Sequence, residues 1–267
     1  MDVISQLPGQ VMELVSSFVS KPVAGDLGTF GLSQYTFWML VAVVVLLAVV
    51  FVFKKKQSED LVPHGFLVNG VEYVVDFLRK DILEGLLGAT WREHFPFVAT
   101  VFFFVLVNNL FGVIPGVKPG TGTIAVTAAV ALYSFIYFIA VGVKKKGALG
   151  YIKSLAPSGV AFPMNAFAWV IEVFSTFLRL VTLAVRLFCN MFAGHVVMGT
   201  FAIMTSLFCA QLAQGISAMT LLDGGASVLW LLILIVIYAV ELLVAVVQAY
   251  VFSLLTAVYI QLAEQEE

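Results

Sequence analysis

Five apolar blocks, each nineteen residues or longer, decide what this 267-residue chain can fold into. The first is Tyr35–Phe53, "YTFWMLVAVVVLLAVVFVF", closed by Lys54–Lys56. The second is Phe95–Val113 and the third Ile124–Val143, the latter closed by Lys144–Lys146. The fourth runs from about residue 162 to 210 and the fifth from about 226 to 263. A membrane-spanning helix needs about 20 consecutive apolar residues, and each block meets or nearly meets that length. Only 11% of the residues are charged, against roughly 25% in soluble domains. The expected fold is therefore an all-α polytopic membrane protein with five embedded helices over residues 35–267. Residues 1–34 form an N-terminal segment outside the cytoplasm. A net charge of −2 gives no reason to expect nucleic acid or an acidic substrate.

Between the first two blocks, residues 66–84 read differently. Leu67, Val71, Val74, Val75, Leu78 and Ile82 recur at helical spacing, while Glu72, Asp76, Arg79 and Lys80 take the other side. That pattern predicts an amphipathic helix lying along the membrane surface. Lysine and arginine then set the orientation. Lys54, Lys55, Lys56, Arg79, Lys80 and Arg92 precede the second block, and Lys144, Lys145, Lys146 and Lys153 follow the third. The alternate segments hold only Lys21 and Lys118. Positive charge marks the cytoplasmic side, so five spans put the N-terminus outside and the C-terminus inside. No cleaved signal peptide is expected.

The last two blocks are too long for ordinary spans. As single helices they would reach roughly 73 Å and 57 Å, against a hydrocarbon core of about 30 Å. Either each is a broken hairpin or both are steeply inclined. A hairpin would reverse the charge-based topology downstream, so inclined helices are expected. Cys189 and Cys209 lie about 30 Å apart if that stretch is one helix, too far to bridge. No metal-ligand spacing occurs, and neither metal nor cofactor is expected.

Ionisable groups inside a span cost at least ~2.5–3.5 kcal/mol each and point to function. Glu172, Arg179 and Arg186 are spaced seven apart and form one stripe on the fourth block. Asn190 follows Arg186 by one turn, whereas His195 points elsewhere. On the fifth block Glu241 and Gln248 are again seven apart. Arg179 can be explained by pairing with Glu172 or by a place in a channel. Gln248 can be explained by helix–helix bonding. Arg186 is harder to explain away, because snorkelling falls short unless the helix lies nearly flat. Glu241 needs a partner or a proton, and His195 is the nearest plausible one. Carboxylate and imidazole together read as a proton path. Arginine stays charged and cannot relay protons.

The stretches "RLFCNMFAGH" (186–195), "ELLVAVVQAYVFSLLTAVYI" (241–260), "NNLFGVIPG" (108–116) and "PMNAFAWVIEVFSTFLRLVTLAVRLF" (163–188) resemble the a subunits of F-type ATP synthases. The resemblance covers roughly residue 61 to the C-terminus. It implies a stationary, non-catalytic subunit with two offset aqueous half-channels that couples proton flow to rotation of a ring of c subunits. Arg186 then corresponds to the family's essential arginine facing the ring carboxylate, and Asn190 to the asparagine one turn later. His195 and Glu241 correspond to the outer half-channel pair, and Gln248 to the glutamine facing the arginine. Glu172 corresponds to an acidic position of the cytoplasmic half-channel, and Asn109 to a polar position in the second span. The implied partners are the c-ring, the peripheral-stalk b subunits, the other synthase subunits and lipid.

Two departures stand out. In some bacterial relatives the glutamate and histidine occupy the positions of His195 and Glu241 in that order; their exchange here is expected to preserve the chemistry through direct contact. Where some relatives carry an aspartate, this chain has Gly112. The two triple-lysine clusters favour a bacterial plasma membrane over an organellar one. A secondary ion-coupled transporter is the alternative, though such folds show internal repeats and interrupted helices, which the long blocks lack.

Overall fold

In the computed structural model, residues 3–16, 18–20, 22–24, 32–56, 66–154, 164–212 and 218–265 are described. Five helices among them are long and apolar enough to cross a membrane. They include α2 (Gln34–Lys56), α5 (Trp91–Val113) and α6 (Ile124–Lys146). The other two are α8 (Met164–Leu212, 49 residues) and α9 (Ala218–Glu264, 47 residues). Each of the last two is an uninterrupted helix, which removes the hairpin alternative. At about 1.5 Å per residue both far exceed a ~30 Å core, so both must incline to stay in lipid.

The surface segment departs from one regular α-helix. It begins as α3 (Phe66–Phe77), widens into a π-helix over Leu78–Glu84, and closes as the short α4 (Gly85–Leu87). Leu78, Ile82 and Leu83 are fully buried against the bundle. On the outer side Arg79 Nε meets Glu84 Oε1 at 2.7 Å, and Lys80 Nζ meets Asp76 Oδ2 at 2.8 Å. An extra residue in the turn rotates three apolar side chains inward together while leaving the charges outside. Gly88, with φ at 54°, ends the segment in a conformation other residues rarely adopt, and α5 begins just beyond it.

Helices in lipid gain little from a hydrophobic drive toward each other, so close packing depends on small side chains. On α9, Ala245, Ala249, Ser253, Thr256 and Ala257 are all buried. They let Val98, Val101, Phe102 and Val105 of α5 and Leu183, Ala184 and Leu187 of α8 close around Phe252 and Ile260. The helices α8 and α9 run antiparallel, with Phe201 against Trp230 at one end and Arg179 over Tyr259 at the other.

The lysine-rich ends of α2 and α6 lie at one end of the bundle together with the start of α5 and the end of α9. There His94 is buried between the Tyr137 hydroxyl (3.0 Å) and Glu264 Oε1 (3.3 Å), and Thr90 donates to Glu264 Oε2 at 2.8 Å. At the opposite end the loop after α5 closes through a 3-10 turn, Gly120–Gly122. The chain before α2 holds α1 (Val3–Ser16) and a small antiparallel ribbon, β1 (Pro22–Ala24) with β2 (Leu32–Ser33). This ribbon is the sole β-structure among the described residues. Helix α1 packs on α8, where Leu14 lies against Gly199.

Candidate ion-translocation site

The antiparallel register of α8 and α9 builds the site. Glu241 carries its carboxylate directly over Gly194, where any Cβ would occupy the same space. Only glycine lets the carboxylate approach α8 this closely. The same register brings Asn190 level with Ala245, and these two residues line one crevice with Glu241, His195 and Asn109. It also sets Gln248, which is buried, level with Arg186.

Asn109 is fully buried, and both ends of its amide are engaged. Its Nδ2 donates to the Ala245 carbonyl at 3.4 Å, and its Oδ1 accepts from Thr121 at 3.0 Å. It therefore ties α5 to α9 and to the 3-10 turn while its surface faces the crevice. His195 Nε2 is buried and has no hydrogen-bond partner among the described residues. The expected direct contact between His195 and Glu241 takes a looser form: they share the crevice without a hydrogen bond between them.

His195 also lines a second, wider cavity of about 260 Å³, which lies toward the end opposite the lysine clusters. Phe18, Tyr35, Lys118, Met198 and Tyr238 share that lining. The imidazole thus stands where the vestibule meets the crevice. Its bare nitrogen needs a partner that a water in the vestibule can supply. Gly112 is accounted for here too. A Cβ at that position would strike Met191 and come within 3.1 Å of Pro119 and 3.3 Å of His195 Nε2, so the Met191 side chain of α8 fills the space an acidic side chain on α5 would need.

The two intramembrane arginines of α8 have different surroundings. Arg179 donates from Nη2 to Glu172 Oε1 at 2.8 Å and lies 5.4 Å from the centre of the Tyr259 ring. Arg186 is exposed, and no carboxylate pairs with it among the described residues. On the same helix, Phe174, Leu178, Val181, Val185 and Val197 are exposed and apolar. On α9, Ile235, Val236, Leu243, Val246 and Val247 are likewise uncovered.

Several contributors were not apparent from the sequence. Gly194, Thr121, Phe18, Lys118 and Tyr238 enter only through tertiary contact. Gly194 directly precedes His195 in the pair Ala193–Gly194, two small residues side by side, and that was the one signal available.

A lone guanidinium on an apolar helix face, with a carboxylate, an imidazole and two amides in a crevice behind it, defines an ion-translocating multi-pass membrane protein. Residues 36–261 match the family described as ATP synthase A chain. A protein named ATP synthase subunit a from Gluconacetobacter diazotrophicus is 34% identical over 95% of this chain and 97% of its own length. One of the same name from Gluconobacter oxydans is 34% identical with the same coverage. Another from Rhodococcus erythropolis is 38% identical over 82% of this chain and 78% of its own length. The chain belongs to the ATP synthase A chain family, and thus to the membrane Fo sector of an F-type ATP synthase. That membership sets aside the secondary-transporter alternative.

Proposed function

We propose that this chain is the stationary, non-catalytic subunit that passes protons to and from a ring of c subunits in a bacterial plasma membrane. The N-terminus lies outside, and the lysine-rich ends and the C-terminus lie in the cytoplasm. The peripheral-stalk b subunits hold it against the torque of the ring. The observation that carries the reading is Arg186, exposed on an apolar face and without a carboxylate partner among the described residues. A permanent cation in such surroundings is costly, and a carboxylate arriving on another subunit relieves that cost.

The proton path follows from the arrangement. A proton entering from the outer side reaches His195 through the 260 Å³ vestibule. It moves into the crevice of Glu241, Asn190 and Asn109, and then to a ring carboxylate that has just left Arg186. Protonation neutralises that carboxylate, which can then rotate into lipid. On the far side of Arg186, with Gln248 at its level, the next carboxylate must release its proton before it can pair with the guanidinium. Glu172, held by Arg179, lines the cytoplasmic exit. Each charge moved through 100 mV yields only about 2.3 kcal/mol, so a continuous water wire would waste the gradient. Arg186 stays protonated throughout and keeps the two half-channels separate.

Replacing Arg186 by alanine tests this directly. ATP-driven proton pumping by inverted membrane vesicles is expected to vanish, and passive proton leak through the membrane sector is expected to rise. Substantial pumping by Arg186→Ala would overturn the assignment.

A further inference from the structure

A further cavity, of about 600 Å³, opens at the lysine-rich end of the bundle and shares no lining residue with the crevice or the vestibule. Its floor is the clasp of His94, Tyr137 and Glu264, whose polar atoms already bond one another. Its rim carries Glu93 from the first turn of α5 and Lys144 and Lys145 from the last turn of α6. These three side chains are exposed, and none forms an ion pair among the described residues, although opposite charges line one cavity. A bare anion would suit the lysines and be repelled by Glu93. A metal cation would suit Glu93 and face two ammonium groups. A ligand that carries both signs answers all three.

The same face of α6 shows what those charges are attached to. Steps of one turn inward from Lys144 reach Ala140, Ile136 and Leu132, and from Lys145 they reach Val141, Tyr137 and Tyr133. Leu132, Tyr133 and Ile136 are 45%, 61% and 56% exposed. The charged cavity therefore runs on into an open apolar lane within the span. A soluble metabolite has no use for that lane, whereas an acyl chain does. We propose that the cavity holds the headgroup of an ethanolamine phospholipid. Lys144 and Lys145 take its phosphate, Glu93 takes its ammonium, and an acyl chain lies along Leu132, Tyr133 and Ile136. A choline headgroup has no N–H to give Glu93, and a glycerol headgroup has no charge for it. Selectivity thus resides in Glu93 and affinity in the two lysines. The inference is independent of the proton path.

The test reads lipid contact directly. A phosphatidylethanolamine with a diazirine near the start of one acyl chain is built into liposomes holding the assembled synthase. After illumination, label on residues 132–145 is quantified by mass spectrometry relative to label on the other spanning helices. Unlabelled phosphatidylethanolamine is expected to compete about threefold better than phosphatidylcholine or phosphatidylglycerol of the same chains, the weight of one exposed ion pair. Glu93→Gln should abolish that preference while the label persists. Lys144→Gln and Lys145→Gln should each lower the label about fivefold, the weight of one basic residue near a membrane surface. Soluble phosphoethanolamine should leave the label unchanged; full competition by it would assign the cavity to a soluble ligand and overturn the lipid. Equal or better competition by the choline or glycerol lipid, or label that ignores Glu93 and both lysines, overturns the proposal. So does label on 132–145 no higher than on the other spans, the result expected if a neighbouring subunit covers the cavity.

Discussion

Arg179 and Arg186 share a helix and a stripe, yet their surroundings assign them different work. Arg179 lies one heptad from Glu172 and pairs with it at 2.8 Å, so its charge is met within the chain. Arg186 has no acid within reach along its own helix, because Glu172 is two heptads away. This much was legible from spacing alone. Spacing could not reveal that Gly194 seats the Glu241 carboxylate, since that contact depends on how α9 slides along α8. The contact predicts a separation of folding from function. In Gly194→Ala, the added methyl meets the mobile end of Glu241, so the helices need not part and the subunit should still assemble. The carboxylate must move by roughly an ångström, a displacement that can cost up to about a hundredfold in rate. ATP-driven pumping should therefore fall steeply at unchanged subunit abundance. Full pumping in Gly194→Ala would show that the carboxylate's seat is irrelevant.

Among the elements, α9 is set in place at two points by polar contacts and between them by a stripe of small residues. Midway along the helix, Asn109 bonds the Ala245 carbonyl, and at its lysine-side end Glu264 meets His94 and Thr90. The length and continuity of α8 and α9 could be read from unbroken apolar runs without internal proline. The π-turn at Leu78–Glu84 could not, because α-helical spacing already places Leu78 and Ile82 on the apolar face and gives no sign that Leu83 is buried beside them. The packing of α1 on α8 was equally hidden, for its anchor is Leu14 over Gly199, a contact between distant parts of the chain. Glu264→Ala tests the end clasp. Loss of the carboxylate leaves His94, only 4% exposed, short of a partner, at a cost of about 1–3 kcal/mol. A lower midpoint of thermal unfolding for the detergent-solubilised complex is expected, with Glu264→Gln closer to the parent. An unaltered midpoint in Glu264→Ala would mean that the clasp contributes no stability.

For the whole molecule, the decisive property is a long apolar face whose one cation unmet by a carboxylate, among the described residues, is Arg186. Helices α8 and α9 both leave large aliphatic side chains uncovered along this side, from Phe174 to Val197 and from Val228 to Val247. Lipid would satisfy the aliphatic groups but not Arg186, so the cover at that level must bring an acid. Cys189, three residues beyond Arg186 and exposed, lies on the same side of α8 and serves as a built-in reporter. In a Cys209→Ala background, a short thiol-directed crosslinker is expected to join Cys189 to a c-type proteolipid in native membranes. Moving the thiol to the opposite side of α8, as in a Cys189→Ala, Leu187→Cys variant, should abolish the product, because Leu187 is fully buried within the subunit. Tandem mass spectrometry of the crosslinked band identifies the partner. If Cys189 joins only other helices of its own chain, the uncovered face is not the sliding contact, and the lone guanidinium requires another explanation.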